Sequence, residues 1–206
     1  MISFSKLFNK ILNARYIHTQ NGVDFAFERD KNVLYILFEC SDGFDDWVKN
    51  FRFIAKPYKR MSKVWRCHNG FSKAYSSIKD DIMAYTKDFI ARGDIEEIIC
   101  AGYSHGAALA VLCTEDLQYS LGGLYRIQGV GFGTPRVLWG IVPKEVKKRL
   151  NGFIAVRNID DLVTHVPPKI LGFRDAGKIV KVGSKGKYSR IDAHRPESYQ
   201  EELKGL

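Results

Sequence analysis

The feature of this chain richest in chemistry is a serine between glycines, Gly102-Tyr103-Ser104-His105-Gly106. A short apolar run, Ile98-Ile99-Cys100, precedes it, and small and apolar residues from Ala107 to Leu112 follow. The run reads as a buried strand and the stretch after it as a helix packed closely on a sheet, which predicts a sharp strand-to-helix turn with the Ser104 hydroxyl at its apex. Glycine is needed on both sides because a side chain at 102 or 106 would collide with the neighbouring strand or helix. Backbone N–H groups in the first turn of the helix point toward the serine, so that of His105 is placed to stabilise an oxyanion developing on a substrate carbonyl. The bare pentapeptide arises by chance in roughly one chain in ten to twenty of this length. Its setting between strand and helix is what favours a catalytic nucleophile over a structural Gly-Ser turn.

A serine is a poor nucleophile until a base takes its proton, and the base needs a group to orient it. The chain has five histidines: His18, His68, His105, His165 and His194. In hydrolases built on a strand-turn-helix serine the chain order is serine, acid, histidine, which leaves His165 and His194. Residues 152–158 read as a core strand, and Asp160 and Asp161 lie just beyond its carboxyl end, where a parallel sheet gathers functional groups. His165 shares their connecting segment and reads as a loop histidine. His194 follows another strand candidate, Lys178 to Val182, on a separate loop that can cross to Ser104, and it is the preferred base. Spacing alone does not separate Asp160 from Asp161.

The elements that must hold these groups alternate along the chain. The pattern predicts an N-terminal helix, strands near 23–29 and 33–40, a helix near 71–92, a strand at 96–101 and a helix at 105–118. A strand at 126–132, a helix near 143–150, strands at 152–158 and 178–183 and a final helix from about 195 follow. Such alternation predicts an α/β protein with a mostly parallel sheet covered by helices. In the first helix Phe4, Leu7, Phe8, Ile11 and Leu12 recur at helical spacing. A face of that kind either docks on the sheet or lies on a membrane surface, and docking is the expectation.

Six separated segments, in order, resemble the class 3 lipases, the fungal-type triacylglycerol lipase family of the α/β-hydrolase fold. Val33 to Ser41 with Asp46-Trp47 is similar to the family's strand ending in Phe-Arg-Gly-Thr/Ser and the Asp-Trp after it. Cys67-His68-Asn69-Gly70-Phe71 resembles its Val-His-x-Gly-Phe, and the serine turn comes next. Gly131-Phe132-Gly133-Thr134-Pro135-Arg136-Val137 resembles Phe-Gly-x-Pro-Arg-Val, and Asp161 to Pro168 resembles Asp-Ile-Val-Pro-His-Leu-Pro-Pro. His194 through Tyr199 is similar to His-x-x-x-x-Tyr. The resemblance implies Ser104 as nucleophile, Asp161 as orienting acid, His194 as general base, and Ser41 and His105 as the oxyanion-hole residues. It also implies a lid over about Phe51 to Arg66, a segment short enough to be partly strand and loop. The chain departs from the family at Glu39-Cys40, where Arg-Gly is usual. A glycine required there for its backbone angle would make Cys40 a source of weakened activity.

The implied function is serine carboxylic-ester hydrolysis of acylglycerol, phospholipid or related lipid esters. An acyltransferase with the same triad and a weakened lipid- or anion-binding protein are the alternatives. The 206 residues, 45% hydrophobic and 27% charged, suit one domain spanning 1–206 and exclude disorder. Cys40, Cys67, Cys100 and Cys113 have no metal-ligand spacing and read as buried free thiols, so no metal and no organic cofactor is expected. The net charge is +9, and residues 141–190 hold twelve Lys/Arg against four Asp/Glu. That excess suits transient contact with an anionic lipid surface or mere solubility, while no nucleic-acid motif accompanies it. With no signal peptide or membrane-spanning run in view, a cytoplasmic location is expected.

Overall fold

In the computed structural model the described residues are 3–40, 55–60 and 63–204. The first helix, α1 (Phe4–Asn13), starts at Ser3, whose hydroxyl accepts from the Lys6 N–H at 3.3 Å. It is followed by β1 (Phe25–Asp30) and β2 (Val33–Phe38). A hairpin comes next, β3 (Ala55–Arg60) and β4 (Lys63–His68), then α2 (Asn69–Ser76) and α3 (Lys79–Ala91). The serine turn joins β5 (Glu97–Tyr103) to α4 (His105–Leu121). Then come β6 (Arg126–Phe132), the two-residue β7 (Leu138–Trp139), α5 (Lys144–Arg149) and β8 (Phe153–Asn158). The chain closes with β9 (Phe173–Arg174), β10 (Lys178–Val182) and α6 (Pro196–Glu202).

Six strands form the central sheet in the order β1-β2-β5-β6-β8-β10. Only β1 runs antiparallel; the other five are parallel. The strand sequences explain the layering. β2 is apolar throughout, as a strand covered on both faces must be, and successive side chains go to opposite sides. Leu34, Ile36 and Phe38, with Ile98 and Cys100 of β5, join the core beneath α2, α3 and α4. Tyr35 and Leu37, with Ile99, Ala101 and Tyr103, join the core beneath α1 and α6. Helices therefore cover both faces, as anticipated. In α1, Leu7, Phe8 and Ile11 are buried, so this helix is docked on the sheet. Among the described residues no helix is long and apolar enough to cross a membrane.

Two expectations change. The single helix foreseen near 71–92 is two, divided at Ser77 and Ile78, where the Ser77 hydroxyl donates to the Ala74 carbonyl at 2.8 Å. A hydroxyl that bonds its own backbone in this way competes with continuation of the helix. The stretch expected as a lid contains the β3–β4 hairpin, which joins β7 and β9 in a second, antiparallel sheet ordered β3-β4-β7-β9. Residues 51–54 and 61–62 of that stretch lie outside the described residues.

Candidate active site

Ser104 stands between β5 and α4 with φ 56° and ψ −118°, a backbone conformation that a residue with a Cβ adopts only under constraint. Its N–H donates to the Phe132 carbonyl at 2.9 Å, and its carbonyl accepts from the Ala107 N–H at 3.1 Å. The flanking glycines permit the approach that creates the turn. A Cβ on Gly102 would lie 2.3 Å from the Gly106 carbonyl carbon, and one on Gly106 would lie 2.4 Å from the Phe38 carbonyl oxygen. The close contact at Gly106 sets the first turn of α4 against the end of β2, where the chain continues into Cys40 and Ser41.

His194, Asp161 and Ser104 come together from three separate parts of the chain. His194 Nε2 is 2.8 Å from Ser104 Oγ, and His194 Nδ1 is 2.7 Å from Asp161 Oδ2. All three are buried. Asp161 follows β8, and its Oδ1 accepts the Val163 N–H at 2.8 Å, which fixes the carboxylate plane. Its Oδ2 also accepts the Tyr199 hydroxyl of α6 at 2.7 Å, and the Tyr199 oxygen in turn accepts the Asn158 N–H at 3.1 Å. Asn158 further donates through its side chain to the Ala193 carbonyl at 3.1 Å, tying the end of β8 to the turn that carries His194. Burial and the charge of Asp161 push the Tyr199 phenol well above its ordinary pKa, so it acts as a neutral donor.

On the other side of the imidazole, the Tyr103 ring stacks at 5.1 Å between centroids and 22° between planes, and its hydroxyl donates to the His194 carbonyl. Gly133, with φ +60°, lies so close that a Cβ would be 2.7 Å from His194 Cε1. These neighbours leave the ring little freedom to rotate away from Ser104.

The geometry separates the alternatives left by spacing. Asp160 turns outward and accepts the Gly186 N–H at 2.7 Å. His165 sits in a short turn with Nδ1 2.9 Å from the Asp161 carbonyl oxygen and does not reach Ser104. His105 opens α4 beside Phe71, with ring centroids 5.7 Å apart, and its burial together with the nearby His68 lowers its pKa to about 4. Ser41 and the Asp46-Trp47 pair lie outside the described residues. Cys40 is not among the described non-glycine residues with positive φ, which are Lys31 and Ser104, so its backbone makes no demand for glycine. The four cysteines are free thiols, with Cys40 partly buried and the others buried. The supporting roles of Tyr103, Asn158 and Tyr199 escaped the sequence reading. Tyr199 was visible as the end of a His-x-x-x-x-Tyr match, whereas Tyr103 and Asn158 carry no local signal.

Residues 35–171 match the family described as lipase (class 3). A secreted mono- and diacylglycerol lipase of Malassezia restricta is 31% identical over 168 residues, covering 80% of this chain and 53% of that protein. A lipase of Rhizomucor miehei is 27% identical over 164 residues, covering 79% of this chain and 45% of that protein. The chain thus spans about half the length of the curated relatives it matches. Its fold is that of the α/β-hydrolase lipases. The solved lipase from Rhizopus microsporus var. chinensis superimposes with a TM-score of 0.75 at 20% identity, covering 89% of this chain and 68% of that one. The expectation of a cytoplasmic protein is corrected here, because the Malassezia relative is named as secreted.

Proposed function

Because the chain belongs to the class 3 lipase family, we propose that it is a serine hydrolase of lipid carboxylic esters, with acylglycerols and phospholipids as substrate classes. The observation that carries the reading is the continuous relay from Ser104 Oγ through both nitrogens of His194 to Asp161, at 2.8 and 2.7 Å. The name of the Malassezia relative supports mono- and diacylglycerols as substrates and an extracellular place of action.

In this mechanism His194 Nε2 takes the Ser104 proton as Oγ attacks the ester carbonyl. The oxyanion is held by backbone N–H groups, that of His105 at the start of α4 and that of Ser41 after β2. His194 then protonates the leaving alcohol, and a water activated by the same nitrogen releases the acid from the acyl-enzyme. Asp161 fixes the imidazole tautomer with Nδ1–H toward Oδ2 and stabilises the imidazolium without taking its proton. In this reading nucleophile, acid and base follow the carboxyl ends of β5, β8 and β10.

Intact-mass measurement after exposure to a fluorophosphonate tests the assignment. One adduct on Ser104, lost in Ser104→Ala and His194→Ala, is the expected result, with ester turnover lost in both while the fold persists. No adduct on folded protein, or turnover retained by Ser104→Ala, overturns it. Product analysis with an added acceptor alcohol then separates hydrolysis from acyl transfer.

A further inference from the structure

Ile141 is 97% exposed and Ile170 is 93% exposed, with Leu171 beside the latter at 46%. A single exposed aliphatic residue on a protein surface is ordinary. These residues, however, stand on two turns clamped to each other. β7 pairs with β9, the Gly140 N–H donates to the Gly172 carbonyl at 2.9 Å, and Trp139 Nε1 donates to the Leu171 carbonyl at 2.8 Å. The isoleucines are therefore held out rigidly, with no neighbour in the described fold to cover them. Between these turns and α5 lies an open groove of about 1070 Å³, lined by both isoleucines and by Lys147, Lys169, Arg174 and Lys178. Asp175 also lines it, but its carboxylate is already engaged by Arg136 at 3.2 Å, Arg157 at 2.8 Å and Lys169 at 2.8 Å. The other charged residues of the lining, Lys147, Lys169, Arg174 and Lys178, are all cationic.

We infer that this edge is the surface by which the protein docks on an anionic lipid bilayer. Ile141, Ile170 and Leu171 enter the boundary between headgroups and acyl chains, while Lys147, Arg174 and Lys178 meet the anionic headgroups. The composition selects a lipid partner. Protein interfaces concentrate aromatic side chains at their centre and are depleted in lysine, whereas aliphatic tips ringed by lysine suit a fluid, negatively charged surface. The inference rests on the lipid-ester reading of the site, but binding is measured apart from turnover.

The test is flotation of the protein with vesicles of phosphatidylcholine alone or mixed with phosphatidylglycerol, at low and high salt. Wild-type protein should float with the mixed vesicles and be released by salt. Lys147→Gln with Lys178→Gln should weaken that binding about thirtyfold, the effect of removing two cations near an anionic surface. Ile141→Asn with Ile170→Asn should weaken it at least as much, and both double variants should keep wild-type turnover of a water-soluble short-chain ester. Equal binding to neutral and anionic vesicles, or variants that bind as wild type does, would overturn the inference. So would a concentration-dependent dimer in light scattering that the isoleucine variant abolishes, since the patch would then be a contact between copies. Vesicle binding that persists in a protein unreactive toward the fluorophosphonate would support the surface while removing the catalytic reading.

Discussion

The proposed nucleophile and the proposed acid–base pair are immobilised by different physics. Ser104 is held by the main chain: a backbone conformation at φ 56°, an N–H bonded to Phe132, and two glycines whose missing Cβ atoms let β5, α4 and the end of β2 touch. Asp161 and His194 sit on loops and are held by a hydrogen-bonded network, through the side chains of Tyr199, Asn158 and Tyr103 and the Val163 N–H. Sterics of this kind are unforgiving, because backbone cannot move aside. A hydrogen-bonded network loses its members one at a time. The nucleophile should therefore fail abruptly on a small change, and the acid–base pair by degrees.

The harshest test of the contrast adds one methyl group. Gly106→Ala places a Cβ 2.4 Å from the Phe38 oxygen and 2.6 Å from the Glu39 oxygen. Overpacking commonly costs about 1–3 kcal/mol, and the upper end is expected where both contacts are backbone. Urea denaturation should show that loss, and fluorophosphonate labelling should slow along with it, because the start of α4 is displaced. Near-normal stability and labelling would mean that the turn can relax and that backbone sterics do not hold the serine.

On the other side of the contrast, Tyr199→Phe keeps the ring and removes two bonds, one to Asp161 Oδ2 and one from the Asn158 N–H. A hydrogen bond to a charged group contributes about 1.5–3 kcal/mol. Turnover is thus expected to fall roughly ten- to a hundredfold with the fold intact. The measurement is kcat together with KM, since a residue that positions the acid should lower kcat and leave KM nearly unchanged. A change confined to thermal stability would reduce Tyr199 to a packing residue.

The same contrast explains what was legible in the sequence. A turn enforced by sterics leaves a local signature, so Gly102, Ser104 and Gly106 with their flanking apolar strand and helix could be read directly. The side chains that hold the acid and base are brought in from β5, β8 and α6, and no short spacing encodes that meeting. Asp161 and Asp160 are adjacent in sequence; spacing does not separate them, whereas the family register and the direction of their side chains do. In the middle of the central sheet, β2 and β5 announced themselves by apolar runs buried on both faces. The second sheet did not, because β7 and β9 are two residues long and hold their place by pairing rather than pattern. The break between α2 and α3 was hidden for a related reason, since helical periodicity runs through Ser77 and the interruption is a single hydroxyl bond.

A smaller effect measures the strain at the nucleophile itself. Ser104→Gly and Ser104→Ala both remove the hydroxyl and its bond to His194, but only glycine accepts φ 56° without cost. The glycine variant should be more stable than the alanine variant by about 1 kcal/mol. Equal stability in urea would indicate that the turn is not strained, and the rigidity ascribed to the nucleophile would then rest on packing alone.

The smallest expected effect concerns how tightly the first turn of α4 is enclosed. His105 has its pKa lowered from 6.5 to about 4, first by burial and then by the neighbouring His68. Between those two values the unfolded chain binds more protons at this position than the folded one. Linkage then requires stability to fall as pH drops from about 6.5 to about 4, with the full contribution present above that window. His105→Gln removes the titrating ring while keeping the backbone N–H assigned to the oxyanion. The decline of Tm across this window should become shallower in the variant, with the two curves running parallel above it. A decline unchanged by the substitution would mean that the ring reaches water when folded, and that the serine turn is less sealed against Phe71 than the 5.7 Å ring contact implies.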